Sequence, residues 1–268
     1  MAIGEIQGVT HTRKATPLPA HTEVSMANQK RKKKLRMREA RRANAFSRQR
    51  DTGLSRVDGG HGYQVLTFEV TFDRLTEPKY DRLPNHVQDL SDLLFLSLER
   101  SPEEAIPRLE DLCEQYPDIP VFRNHLSAAY HHAGRDADAV HEMIDCYEEF
   151  PDYLFGRITL ALYCVQAGEH ERVGEILDHK FDLQELCPGR KRFHVTEVVG
   201  FYGLMGLYHL AHGDVENAES CYDILATVDA DNQMTRLLAY RLAARKTPLF
   251  GRLIARALSL RHDRLLRK

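Results

Sequence analysis

The chain has 268 residues, 43% of them hydrophobic and none of them Trp, with a formal net charge of -2; that length gives one or two domains room for a sizeable core. The longest apolar candidate, Val198 to Ala211, includes His209 and falls short of the roughly 20 residues that cross a bilayer, so no membrane span is expected. Five scattered cysteines (Cys113, Cys146, Cys164, Cys187, Cys221) with no CxxC spacing, together with the absence of a secretory leader, lead to an expectation of reduced thiols and a cytoplasmic protein.

The small net charge conceals a segregation. Residues 1–60 carry 14 Lys/Arg against 5 Asp/Glu, or +9; residues 61–234 carry 13 against 33, or -20; residues 235–268 carry 10 against 1, or +9. An acidic middle between two basic ends says more about partners than the overall balance does.

Residues 1–28 have neither helical nor strand periodicity and read as disordered. Gln29 to Arg50 is a dense basic run with no wide apolar stripe, so residues 1–60 as a whole read as a disordered basic arm and linker. Its cations Lys30, Arg31, Lys32, Lys33, Lys34, Arg36, Arg38, Arg41 and Arg42 suit a polyanion, because Lys/Arg clusters release counterions from nucleic acid. In a eukaryotic host the same run would read as a nuclear-import address. Nothing in it points to base-specific readout.

Thr52 to Gly62 is rich in Gly, Asp and Ser and reads as a linker. Tyr63 to Phe72 alternates, with Leu66, Phe68, Val70 and Phe72 on one face, and predicts a strand within a segment spanning 61–85. A lone strand must pair with something: a short hairpin, the helical array, a partner chain or a second copy. Pro78 and Pro84 close this segment.

Helical periodicity takes over from His86. Leu90, Leu93, Leu94, Leu96 and Leu98 mark a first helix. Ser101-Pro-Glu-Glu104 predicts a capping box opening the second, with Pro107 expected to bend it. Phe122, Leu126, Ala129 and Tyr130 give the next helix its stripe, Gly134 its end, and Ala139, Met143 and Cys146 line the helix that follows. Landmarks then recur 34 residues apart: Ala105 and Ala139, Pro117 and Pro151, Leu126 and Leu160, Gly134 and Gly168. A fixed period of this size marks a helical repeat. Gly168 to Gly213 is 45 residues, which places an 11-residue insertion, read as a loop, around Phe181 to Arg192. A fourth unit resumes with Tyr202, Met205, Gly206, Ala218 and Tyr222.

These landmarks resemble the tetratricopeptide repeat, whose signature is W-x2-L-G-x2-Y, then A-x3-F, then P. In the second unit Leu126, Tyr130, Ala139 and Pro151 fall on signature positions, with Arg123, Ser127 and Met143 replacing Trp, Gly and Phe. In the fourth unit Tyr202, Gly206, Ala218 and Tyr222 match, with Met205 and His209 replacing Leu and Tyr and no closing Pro. The resemblance covers roughly residues 86–231 and implies an all-α, right-handed solenoid of about four helix pairs. Residues 232–268 then supply a capping helix over Asn232 to Arg245 and a basic amphipathic helix over Leu249 to Leu266, read first as a second cap, with a membrane-surface or partner-docking helix as the alternatives.

The sequence holds no glycine-rich phosphate loop, no HExxH and no GxSxG, so no catalysis is expected. The histidines, among them His131, His132, His141, His209 and His212, lack a paired ligand set at zinc spacing, so no metal and no cofactor are expected. The resemblance implies a concave groove lined by the first helix of each pair. The residues on that face are Asn124, Ala128 and His131, then Phe155, Ile158, Leu162 and Val165, then Gly203, Leu207 and Leu210. They are mostly apolar and include no Lys or Arg, unlike family members that clamp a terminal carboxylate. The expected function is a non-catalytic adaptor that holds a peptide or helix of another protein in this groove. The alternative is a nucleic-acid- or ribosome-associated factor acting through residues 29–50. A further option is that a basic end of the chain lies along its own acidic middle.

Overall fold

The structure, a computed structural model, describes residues 56–59, 62–65, 68–73 and 77–246, all within one of the chain's two units, Ala40–Lys268. Most of these residues are helical, as expected of an all-α protein, and ten α-helices are present among them. The basic run of residues 29–50 and the helix expected over Leu249 to Leu266 lie outside the described residues.

A hairpin opens the described part. β1 (Arg56–Gly59) and β2 (Gly62–Val65) pair antiparallel, and β1 packs on the ninth helix, α9 (Val215–Asp229). β1 falls inside the stretch read as a linker. The single strand expected over Tyr63 to Phe72 is also corrected: it is two strands, β2 and then β3 (Glu69–Thr71). β3 pairs in parallel with β4 (Arg192–His194), so the alternating segment finds its partner about 120 residues away in the same chain. Phe68 and Val70 are buried as the alternation predicts. The Phe68 ring meets Phe193 edge-on, with centroids 5.0 Å apart.

A 3-10 turn, Tyr80–Arg82, leads into α1 (Asn85–Ser97), α2 (Pro102–Gln115), α3 (Pro120–His132), α4 (Asp136–Glu149), α5 (Leu154–Ala167) and α6 (His170–Ile176). Pro102 and Pro120 open α2 and α3 at a position where a missing N–H costs nothing. One local expectation fails here. The Ser101 side chain makes no capping bond; instead Glu104 N–H donates to the Ser101 carbonyl at 3.3 Å. α2 holds Pro107 in its interior. Gly134, Gly168 and Gly213 carry φ of 73°, 80° and 78°, the left-handed conformation that ends a helix and that only glycine adopts without strain.

The insertion read as a loop is ordered structure. Asp182 caps α7 (Leu183–Leu186), its carboxylate accepting from Gln184 N–H at 2.8 Å and Glu185 N–H at 3.4 Å. Leu183 and Phe193 are fully buried. Before α7, Asp178 and His179 adopt φ of 52° and 53°, a conformation costing about 1–3 kcal/mol each in non-glycine residues. It is held by the Arg157–Asp178 ion pair at 2.6 Å and by His179 N–H donating to Gly174 O at 2.7 Å. α8 (Val195–Ala211), α9 and α10 (Gln233–Lys246) complete the fold. α8 opens with a capping box made by His194 and Glu197.

The packing follows one rule. Each helix packs on its neighbour in sequence through α6, and again through α8, α9 and α10. In addition α1 touches α3, α3 touches α5, α5 touches α8 and α8 touches α10. Two apolar cores result. One joins Tyr80 to α1–α4; the other joins β3, α5–α10 and β4; Met143 contacts both.

Candidate functional site

The row α1–α3–α5–α8–α10 collects the residues on which function is expected to rest, and specific contacts fix each step of it. Between α1 and α3, the Ser91 hydroxyl lies 3.1 Å from His125 Nδ1, and Phe95 stacks on the His125 ring with centroids 4.4 Å apart. Burial without a compensating charge lowers the His125 pKa to about 4, so the ring is neutral near pH 7. Between α3 and α5, the Thr159 hydroxyl donates to Asn124 Oδ1 at 3.1 Å. Between α5 and α8, a Cβ on Gly200 would stand 3.5 Å from Ile158 Cγ2. Between α8 and α10, Cβ atoms on Gly203 and Gly206 would stand 2.2 Å from Met234 Cγ and 2.3 Å from Leu238 Cδ2. Glycines on α8 thus let α10 approach closely, and the pairs 203–234 and 206–238 advance together, so the two helices run parallel.

Most of the expected groove residues meet on this row. Asn124 and Ala128 on α3, Phe155, Leu162 and Val165 on α5, and Leu207 on α8 are all half-buried. Leu162, Val165 and Leu207 pack at the margin of the larger core, and Ala128 at the margin of the smaller. Ile158 and Leu210, at 5% and 6% exposure, are interior residues, and Gly203 is buried under Met234. His131 is exposed at the end of α3, its Nδ1 3.1 Å from Asp136 Oδ1. The sequence reading missed Phe95, which is 47% exposed. A signal was present, because Ser91 and His125 are one 34-residue period apart.

Acidity is distributed by helix polarity. Glu103 and Glu104, Asp136 and Asp138, Glu171 and Glu216 occupy the first turns of α2, α4, α6 and α9, where a carboxylate is favoured by the positive end of the helix dipole. Cations on the middle helices are engaged elsewhere. Arg123 binds Glu142 and Glu149, each at 2.9 Å, and Arg157 binds Asp178. Glu197, 4% exposed, takes Arg190 through two bonds of 2.8 and 3.0 Å and accepts from His194 N–H at 2.8 Å. Arg190 also lies over the Phe193 ring, 4.3 Å from its centroid, and Arg192 reaches Glu69 at 3.3 Å. These contacts lock the β3–β4 pair onto the start of α8.

The histidines gather where helices turn, without forming a centre. His170 and His212 rings are 5.0 Å apart, Tyr208 lies 4.3 Å from His212, and Phe181 stacks on Tyr208. Burial lowers the His209 pKa, opposed by Asp214 3.2 Å away. Among the described residues no group of three or more His, Cys, Asp and Glu is placed to hold a metal ion. Burial raises all five cysteine thiols, pushing Cys113, Cys146 and Cys221 up to about 12, which is the opposite of nucleophile activation. An open cavity of about 390 Å³ beside Lys79, Arg82, Tyr116 and Ile119, at the α2–α3 turn, includes none of the expected site residues. No helix among the described residues is long and apolar enough to cross a membrane.

No protein-family model matches the chain, and no curated protein matches it.

Proposed function

We propose that the chain is a tetratricopeptide-like αα-solenoid of about four helix pairs that works as a non-catalytic, cytoplasmic adaptor. It holds a peptide or helix of another protein on the face shared by α3, α5 and α8. The observation that carries this reading is the contact pattern: the first helix of each pair packs on the first helix of the next, while also packing on its own partner. That is how a repeat array builds one continuous surface from units that each bury only part of their apolar face. Ala128, Phe155, Leu162, Val165 and Leu207 give this surface apolar character, and Asn124 gives it a polar handle.

The test is capture from lysate on the immobilised full chain, with nuclease and at high salt, compared with Phe155→Arg and Leu162→Arg variants shown to be folded by circular dichroism. The adaptor reading predicts protein partners that survive nuclease and salt and are lost with either variant. Partners that ignore both substitutions refute it. The charge balance of +9 in residues 1–60 favours a second reading, nucleic-acid or ribosome association through Lys30 to Arg42. That reading predicts partners lost with nuclease and salt and indifferent to Phe155 and Leu162.

A further inference from the structure

Many cations of the acidic middle are held by carboxylates: Arg123, Arg135, Arg157, Arg172 and Arg190 each bind one at 2.9 Å or less. Lys79 and Arg82 are exposed, and neither forms an ion pair with a described residue. Lys79 acts on Glu77 through space, opposing the rise that burial imposes on that carboxyl. The two cations bracket the 3-10 turn Tyr80–Arg82, where Arg82 N–H donates to Lys79 O at 3.3 Å. Side chains three residues apart on such a turn eclipse one another, so both cations stand on one side of it. That side is one wall of the open cavity of about 390 Å³; the α2–α3 turn, Gln115 to Ile119, is the other.

Both walls are fixed from within. Tyr80, which is buried, and Tyr116 each set a ring against Phe122, with centroids 5.8 and 5.9 Å away. Ile119 N–H donates to Tyr116 O at 3.1 Å and closes the second wall. Leu83, Pro117 and the buried Ile119 give the cavity apolar sides, and Gln115, Tyr116 and Asp118 give it polar atoms. Lys79 and Arg82 less Asp118 leave the lining with a formal charge of +1.

We infer that this cavity binds a small organic monocarboxylate with an apolar body. The Arg82 guanidinium is a planar fork that matches a carboxylate, and Lys79 adds a second charged donor. The apolar body lies against Leu83, Pro117 and Ile119. The volume falls within the roughly 300–1,000 Å³ of small-molecule sites. One negative charge balances the lining, whereas a phosphate dianion would exceed it and meet the Asp118 carboxylate. The chain's own basic run, residues 29–50, has the wrong sign for this cavity.

The experiment is titration of the isotope-labelled full chain with 3-phenylpropionate, followed by amide chemical shifts at constant ionic strength. The alcohol 3-phenylpropanol, phenyl phosphate and inorganic phosphate are the comparison probes. The carboxylate is expected to shift Lys79–Leu83, Gln115, Tyr116, Asp118 and Ile119 saturably, with a dissociation constant on the order of 1 mM. The alcohol binds about three- to fivefold more weakly. Arg82→Gln brings the carboxylate down to the level of the alcohol and leaves the alcohol unchanged, and Lys79→Gln gives a loss of the same sign. Asp118→Asn tightens phenyl phosphate more than it tightens the carboxylate. No saturable shift at these amides, equal binding of alcohol and carboxylate, or carboxylate binding that survives both cation substitutions overturns the inference. So does inorganic phosphate that produces the same shifts, which would mark an indiscriminate anion site, or phenyl phosphate that binds more tightly than the carboxylate.

Discussion

Acidification is expected to unfold this protein from the α1–α3 contact first, and the size of the effect follows from His125. The ring is half-buried, packed against Phe95 and Ser91, and its pKa is held at about 4 against an ordinary value of 6.5. A folded-state pKa below the unfolded one means that the unfolded chain binds the proton more readily. The stability contributed is therefore complete above pH 6.5 and is lost as pH falls toward 4. Between pH 7.5 and pH 5.0 the linkage relation gives a loss of about 2 kcal/mol from this one ring. His194 and His209, both lowered by burial, act in the same direction, so the wild-type slope alone does not isolate His125. His125→Gln does, because the amide can still meet the Ser91 hydroxyl but does not titrate. Urea unfolding followed by circular dichroism at the two pH values is the assay. The wild type should lose about 2 kcal/mol more than the variant on acidification. Equal losses in the two proteins, or a His125 ring that titrates near 6.5 by NMR, would refute the reasoning.

Other sites give sharper structural tests. Gly206→Ala places a Cβ 2.3 Å from Leu238 Cδ2, whose side chain is fully buried, and should cost about 1–3 kcal/mol by overpacking; urea midpoints measure it, and a neutral result would mean that α10 is not seated on α8. Phe193→Ala removes a ring that meets Phe68 and lies under Arg190 and should cost about 3–5 kcal/mol. Hydrogen exchange should rise at Glu69–Thr71 in that variant before it rises in α3. With thiols pushed to about 12 at Cys113, Cys146 and Cys221, Ellman's reagent at pH 8 should label the native protein slowly and reach all five cysteines only in denaturant. Gly168→Ala, at φ 80°, should destabilise by about 1 kcal/mol, where an ordinary exposed helix site would tolerate Ala.

What could be read from sequence was what depends on local period. The helix expected over Asn232 to Arg245 is α10, Gln233–Lys246, because leucine spacing and a following Pro define it without reference to other segments. The left-handed glycines likewise declare themselves by position. β3–β4 could not be found this way, because Glu69 and Arg192 are 123 residues apart and a three-residue parallel strand has almost no local signature. The insertion of residues 181–192 looked like a loop for the same reason: its order comes from burying Leu183 and Leu186 in the larger core. Ser101 had the composition of a cap but stands at φ -142°, ψ 56°, and makes no side-chain bond. His194, a residue rarely suspected as a cap, makes one. At the candidate site, period put Asn124, Ala128, Phe155, Leu162, Val165 and Leu207 on adjoining helices. It misjudged Ile158, which is 5% exposed because α8 packs over it at Gly200.

The decisive measurement is chemical-shift mapping of a captured partner peptide on the isotope-labelled full chain. The adaptor reading predicts that perturbed resonances concentrate on Ala128, Phe155, Leu162 and Leu207. Shifts confined to α4, α6 and α9, or to Lys30–Arg42, would contradict it.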